Sequence, residues 1–87
     1  MTHPRLATGA RLRYDEVRDE HVLLIPEGAV RLNPTAVAVL ELCDGDRTLE
    51  EIVSALSERY DGADVGDDVH QLVEAMARRG LVIDAGA

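Results

Sequence analysis

Leu23-Leu-Ile-Pro-Glu-Gly-Ala-Val-Arg-Leu-Asn-Pro-Thr-Ala-Val-Ala-Val-Leu-Glu-Leu-Cys-Asp-Gly45 is the stretch whose reading decides the fold. Its opening residues complete a short apolar run, Val22 to Ile25, of the kind that makes a central strand. Pro26-Glu27-Gly28 breaks the run, and Ala29-Val-Arg-Leu32 resumes with polar and apolar residues alternating. Two strands around a Pro/Gly turn form a hairpin. Asn33-Pro34 then starts a helix, with Asn as N-cap and Pro at the first helical position, where its missing N–H costs nothing. Between Ala36 and Leu42 only Glu41 is polar, so this helix is expected to be buried at the centre of the domain. It is predicted to run from Pro34 to about Asp44 and to stop at Gly45 in a left-handed conformation. Nothing in the stretch is arranged to run a reaction.

Toward the N-terminus, Arg11-Leu-Arg-Tyr14 alternates with the period of a half-buried strand, and Asp15 to Glu20 is a charged connection. Residues 1–10 read as a loose, flexible arm. Toward the C-terminus, Thr48-Leu-Glu-Glu51 has the capping-box spacing. The helix it opens places Leu49, Ile52, Val53, Leu56 and Tyr60 on one stripe. Asp61-Gly-Ala-Asp64 is a loop. A third helix is predicted from about Val65 to Arg79, with Val69, Leu72, Val73 and Met76 as its apolar face. Arg78 and Arg79 complement its C-terminal dipole and Gly80 stops it. Leu81-Val-Ile83 is an apolar tail expected to pack back or add a strand end. The expected architecture is α+β and winged-helix-like: a three-stranded antiparallel sheet followed by three helices, in one domain over residues 11–87.

Composition bounds the function. Eighty-seven residues lie near the lower end of what one apolar core can stabilise. Phe and Trp are absent and there are only two Tyr, so the core must be aliphatic. One cysteine, Cys43, excludes an internal disulfide and fits a reducing compartment. No apolar run approaches the ~18 residues of a membrane span, and Met1-Thr-His-Pro-Arg5 lacks the apolar stretch of a secretory signal. A cytoplasmic protein is expected. Seventeen acidic residues oppose nine basic ones, all of them Arg, for a net charge of −8. Such a chain is repelled by phosphate backbones, so nucleic acid is not expected as a partner.

Each candidate for chemistry has a plainer reading. His3, His21 and His70 are far apart, and Ser54 and Ser57 lie on a polar helix side without a neighbouring histidine, so no catalytic residue is assigned. Asp67, His70 and Glu74 share one helix face at i, i+3 and i+7, but no second cluster completes a metal shell; they read as a solvated face. Cys43, late in an apolar helix, reads as a small buried hydrophobe. An acyl carrier needs a modifiable serine in an Asp-Ser-Leu context, which neither serine has. A DNA-reading third helix would present carboxylates at its N-terminal end, where base edges are contacted. No cofactor is expected.

A binding surface remains. Ala29, Val30, Arg31 and Leu32 follow a hairpin turn, and as a sheet edge they would expose unpaired backbone groups able to accept an extended peptide. The third helix would form the other wall through Asp68, Leu72, Ala75, Met76 and Arg79, which lie along one flank. Leu72 and Met76 are also candidates for the core, and both roles hold if the groove floor is continuous with it. An exposed edge also admits a second copy, so a homodimer is an expectation for sedimentation to test.

Leu23-Leu-Ile-Pro-Glu27, Leu32-Asn33, Leu42-Cys-Asp-Gly45, Thr48-Leu-Glu-Glu-Ile52 and Asp68-Val69 together resemble the PqqD family of pyrroloquinoline quinone biosynthesis, over about Arg11 to Val82. The resemblance implies a non-catalytic peptide chaperone with a winged-helix-like fold. It implies binding of the precursor peptide PqqA and its presentation to PqqE, a radical S-adenosylmethionine enzyme that joins a Glu and a Tyr side chain of the peptide. It also implies that the precursor adds as a strand beside Ala29–Leu32 and rests on the third-helix flank. The family's recurring positions here are Pro26, Glu27, Leu32, Asn33, Cys43, Asp44, Gly45, Asp68 and Val69, most of which read as turn, cap and core residues. Relatives often carry an aromatic where this chain has Leu72, which implies a shallower groove. The alternatives are recognition of a leader in another modified-peptide pathway, a domain equivalent to part of a fused maturase, and a winged-helix DNA-binding regulator.

Overall fold

A computed structural model describes residues 1–86. Strand β1 (Pro4–Leu6) is followed by β2 (Arg11–Asp15), β3 (Glu20–Ile25) and β4 (Gly28–Leu32). Helices α1 (Pro34–Glu41), α2 (Leu49–Arg59) and α3 (Gly66–Arg78) come next, and β5 (Val82–Asp84) closes the chain. The three-stranded antiparallel sheet has the order β2-β3-β4, which puts β3 at its centre. The expected α+β arrangement of three strands followed by three helices is therefore present, with a second, two-stranded sheet added to it.

The hairpin forms where the sequence predicts it. Pro26 and Glu27 are the two loop residues, and Ile25 pairs with Gly28. Gly28 has φ +146°, a conformation side-chain-bearing residues rarely adopt. Leu23 is fully buried at the centre of β3. Leu12, Ile25, Val30 and Leu32 lie on the same sheet face and pack on the core. That core is completed by Ala38–Leu40 of α1, Ile52 and Leu56 of α2, and Val69, Val73 and Met76 of α3. Val22, on the opposite face, is covered too, as expected of a strand apolar on both sides.

Helix α1 begins as its sequence dictates: the Asn33 Oδ1 accepts the Ala36 amide at 2.7 Å, with Pro34 in the first turn. Every residue from Ala36 to Leu40 is buried. The helix ends earlier than expected, at Glu41, with Leu42 as C-cap. Tertiary pairing takes over the next residues. Cys43 O accepts the Leu6 amide at 3.3 Å, Asp44 bridges to Arg5, and the Gly45 amide donates to Pro4 O at 3.0 Å. Gly45 is left-handed at φ +84°, as predicted, but it serves this crossing and not the helix cap.

Capping at α2 is reciprocal: Glu51 N donates to Thr48 Oγ1 at 3.1 Å, and Thr48 N donates to Glu51 Oε1 at 2.9 Å. Leu49, Ile52 and Leu56 are buried and Val53 is half-buried. Tyr60, expected on this stripe, is the C-cap residue and is exposed. Helix α3 starts at Gly66 without a side-chain cap, and Gly80 follows its end with φ +74°.

The largest departure is at the N-terminus. Residues 1–10, expected as a flexible arm, contain β1, which pairs antiparallel with β5 (Pro4↔Asp84, Arg5↔Ile83, Leu6↔Val82). Pro4 is fully buried and Ala10 joins the core. Asp84 ties the two ends together, its carboxylate accepting Thr2 N at 2.9 Å, His3 N at 3.0 Å and Gly86 N at 2.9 Å. A three-residue strand whose partner lies about eighty residues away has no local periodicity to announce it. The C-terminal tail does add a strand, as expected. Residue 87, the last of the expected domain, lies outside the described residues.

Candidate functional site

Strand β4 is an edge strand, and its register determines which backbone groups it leaves free. A two-residue loop makes Ile25–Gly28 the first doubly hydrogen-bonded pair. In an antiparallel ladder bonded and non-bonded pairs alternate, so Leu23–Val30 and His21–Leu32 are bonded as well. The N–H and C=O groups of Gly28, Val30 and Leu32 thus point into the sheet. Those of Ala29 and Arg31 point out of it, toward the open edge. Side chains alternate in the other sense: Val30 and Leu32 are half-buried against the core, while Ala29 and Arg31 are exposed on the outer sheet face. Arg31 Nε lies 3.6 Å from Glu20 Oε1 across the sheet.

The α3 flank divides by burial. Asp68 and Arg79 are exposed, Leu72 and Ala75 are half-buried, and Met76 is buried. Leu72, Val30 and Leu32 all pack against the cluster that contains Met76, Val69 and Val73. Met76 therefore belongs to the core, and Asp68 and Arg79 lie exposed toward the two ends of the α3 flank. Val30 and Leu32 of β4 and Leu72 and Met76 of α3 share one hydrophobic core. Two cavities, of about 320 and 760 Å³, lie elsewhere, one beside β2 and one over the outer sheet face, and neither is lined by α3.

The remaining polar residues have structural explanations. Burial, with the charge of Asp44 adding to it, pushes the Cys43 thiol up to about 11, and its Sγ contacts Val39 O at 3.4 Å. A thiol held protonated in this way is a poor nucleophile. The Asp46 amide, followed by the Arg47 guanidinium, holds Asp44 below the usual carboxylate range. The Thr48 amide does the same for Glu51. Asp67, His70 and Glu74 are exposed, and no group of three His, Cys, Asp or Glu side chains able to hold a metal occurs among the described residues. Asp67 and Asp68 are exposed in the first turn of α3, where a DNA-reading helix would approach phosphate. Among the described residues no helix is long and apolar enough to cross a membrane.

Sequence reasoning passed over one feature, on the core-side face of the sheet at the β2 edge. There Tyr14 and His21 bring their rings to a centroid separation of 4.9 Å with a 58° tilt. The available signal was a Tyr on the strand predicted to be half-buried; its cross-strand partner became visible only once the register was fixed.

Comparison with known proteins matches this geometry to one family. The family model for coenzyme PQQ synthesis protein D (PqqD) matches residues 20–82, from β3 to the start of β5. A PqqA binding protein of Methylococcus capsulatus is 39% identical over 72 residues, covering 83% of this chain and 77% of that protein. The bifunctional coenzyme PQQ synthesis protein C/D of Methylorubrum extorquens is 44% identical over 78 residues, covering 87% of this chain but 21% of that longer protein. The solution NMR structure of the PqqD part of Methylobacterium extorquens PqqCD superposes with a TM-score of 0.73 at 40% identity, covering 92% of this chain and 87% of that one. That domain is described as a functional, stand-alone recognition element for ribosomally synthesised and post-translationally modified peptides. The chain belongs to the PqqD family.

Proposed function

We propose that this chain is a peptide chaperone that takes up the precursor peptide PqqA as an added strand on β4 and presents it to the radical enzyme PqqE in pyrroloquinoline quinone biosynthesis, in the cytoplasm. One observation carries the reading. The backbone groups of Ala29 and Arg31 face an open edge, on a strand whose inward side chains share a core with Leu72 of α3. Added main-chain bonds supply affinity in this mode and alternate side-chain pockets supply specificity. The peptide lies between β4 and the flank Asp68, Leu72, Ala75, Met76 and Arg79. Relatives named PqqA binding proteins support the choice of peptide. A fused relative that joins this domain to a second synthesis protein supports work beside an enzyme. The chain itself is a binding module and not an enzyme.

Titration of 15N-labelled chain with synthetic PqqA tests the reading. The expected amide shifts fall on residues 29–32 and 68–79, and a saturated complex should bind PqqE more tightly than peptide alone. Shifts confined to other residues would overturn the site. Saturable binding of a different modified-peptide leader, with PqqA inert, would keep the binding mode and reassign the pathway.

A further inference from the structure

The sheet has a second open edge, at β2. Its bonded pairs with β3 are Arg11–Leu24, Arg13–Val22 and Asp15–Glu20, because the other β3 residues are bonded to β4. The N–H and C=O groups of Leu12 and Tyr14 therefore point away from the sheet, and among the described residues no backbone group takes them up. Beside this edge lies the cavity of about 320 Å³, its apolar wall formed by Leu12, Tyr14, Pro34 and Val37 and its rim by His21, Arg13, Glu41 of α1 and Arg59 of α2. On the opposite face of the same strand stand Arg11 and Arg13, both exposed. Neither forms an ion pair among the described residues, although acids outnumber bases in the chain by eight charges.

We propose that the β2 edge is a second strand-docking site, taking an extended segment of a partner protein that carries one apolar side chain between two carboxylates. Side chains of an added strand alternate between faces. The apolar one enters the cavity against Tyr14, Val37 and Leu12, and its two neighbours emerge on the outer face beside Arg11 and Arg13. Opposite charges across a strand pair stabilise it. The same charges disfavour a second copy of this chain. Antiparallel self-pairing that joins Leu12 to Tyr14 of the other copy sets the two Arg13 side chains directly opposite each other, an unfavourable pairing. The site is separate from β4 and does not depend on what β4 binds. With both edges used, one chain holds two segments on opposite sides of its sheet.

The test uses the full chain, 15N-labelled, and a seven-residue probe, Thr-Ser-Glu-Ile-Glu-Ser-Thr with blocked ends, at up to millimolar concentration. The expected result is movement of the Leu12 and Tyr14 amides and of the Tyr14 and His21 ring signals, with Ala29 and Arg31 unmoved. A control probe with Lys in place of both Glu should bind about tenfold more weakly, because both cross-strand charge pairs change sign. Arg13→Glu should abolish that preference, because it reverses one charge pair and leaves Arg11 to keep the other. Arg11→Glu serves as the second variant, and an unchanged thermal transition shows that each is folded. No movement at β2, movement only at β4, or equal binding of both probes would overturn the proposal. So would a concentration-dependent dimer that forms through β2, which would make the occupant a second copy.

Discussion

Gly45 and Pro4 are joined by a hydrogen bond of 3.0 Å from amide to carbonyl, which stitches the end of the first helical segment to the N-terminal strand. A Cβ at Gly45 would stand 3.2 Å from the Ala85 Cβ and 3.3 Å from the Arg5 Cδ, at a backbone φ of +84°. Gly45→Ala therefore combines backbone strain with crowding. It should lower unfolding free energy by about 1–3 kcal/mol, read as a shift of the denaturant midpoint at constant slope. Ala at Gly62, also left-handed but with nothing within 4 Å of a Cβ, should cost less.

Asp84 makes the pairing of the two termini pH-dependent. Backbone amides of His3, Thr2 and Gly86, in that order of influence, hold its carboxyl well below the usual range. A carboxyl depressed in the folded state contributes stability above its unfolded pKa and loses it as pH falls toward the folded one. The stability difference between the native chain and Asp84→Asn should therefore be full at pH 7 and shrink below about pH 4. Melting curves of both chains from pH 7 to pH 2 read the window directly. A difference that grew on acidification would contradict the sign.

Cys43 should resist alkylation. Its thiol is buried and pushed up to about 11, so iodoacetamide at pH 8 should leave the folded chain unlabelled and label it fully in denaturant. Mass spectrometry of the two reactions checks this. Rapid labelling of the folded chain would show that the α1–β1 crossing opens.

Thr48→Ala should cost about 1 kcal/mol of stability, the usual worth of an N-cap hydroxyl, because it removes the acceptor for the Glu51 amide. Peptide affinity should be unchanged, since α2 bears neither β4 nor the α3 flank. A change of affinity with Thr48→Ala would mean that α2 takes part in the site.

Much of this fold was legible because its signals are local. Asn33-Pro34, the Thr48/Glu51 box and the Pro26-Glu27-Gly28 turn each act within four residues, and each does what its chemistry implies. The β1–β5 pairing was not legible, because Pro4-Arg5-Leu6 has neither length nor alternation and its partner lies at the other end of the chain. The end of α1 departs from its local sequence pattern for the same reason: a distant strand claims Cys43, Asp44 and Gly45 before the helix can use them. At the candidate site, the edge position of Ala29–Leu32 followed from the hairpin. Which of its amides are free required the register. Met76 shows the limit of helical spacing, which places a residue on a flank without saying how deeply it is buried.

Free edge groups at β4 also predict contrasting proline substitutions. Arg31→Pro removes an outward donor and should weaken precursor binding about tenfold or more while the chain still folds. Val30→Pro removes a bond within the sheet and should lower stability itself, by about 3 kcal/mol. Equal effects of the two on folding would contradict the register assigned to β4.

Amide hydrogen exchange at β4, with and without saturating precursor peptide, tests strand addition most directly. In the free chain Val30 and Leu32 should exchange slowly and Ala29 and Arg31 fast, as the register requires. Bound peptide should protect Ala29 and Arg31 and leave the other two as they were. Unchanged exchange at Ala29 and Arg31 in a saturated complex would contradict the addition of a strand at this edge.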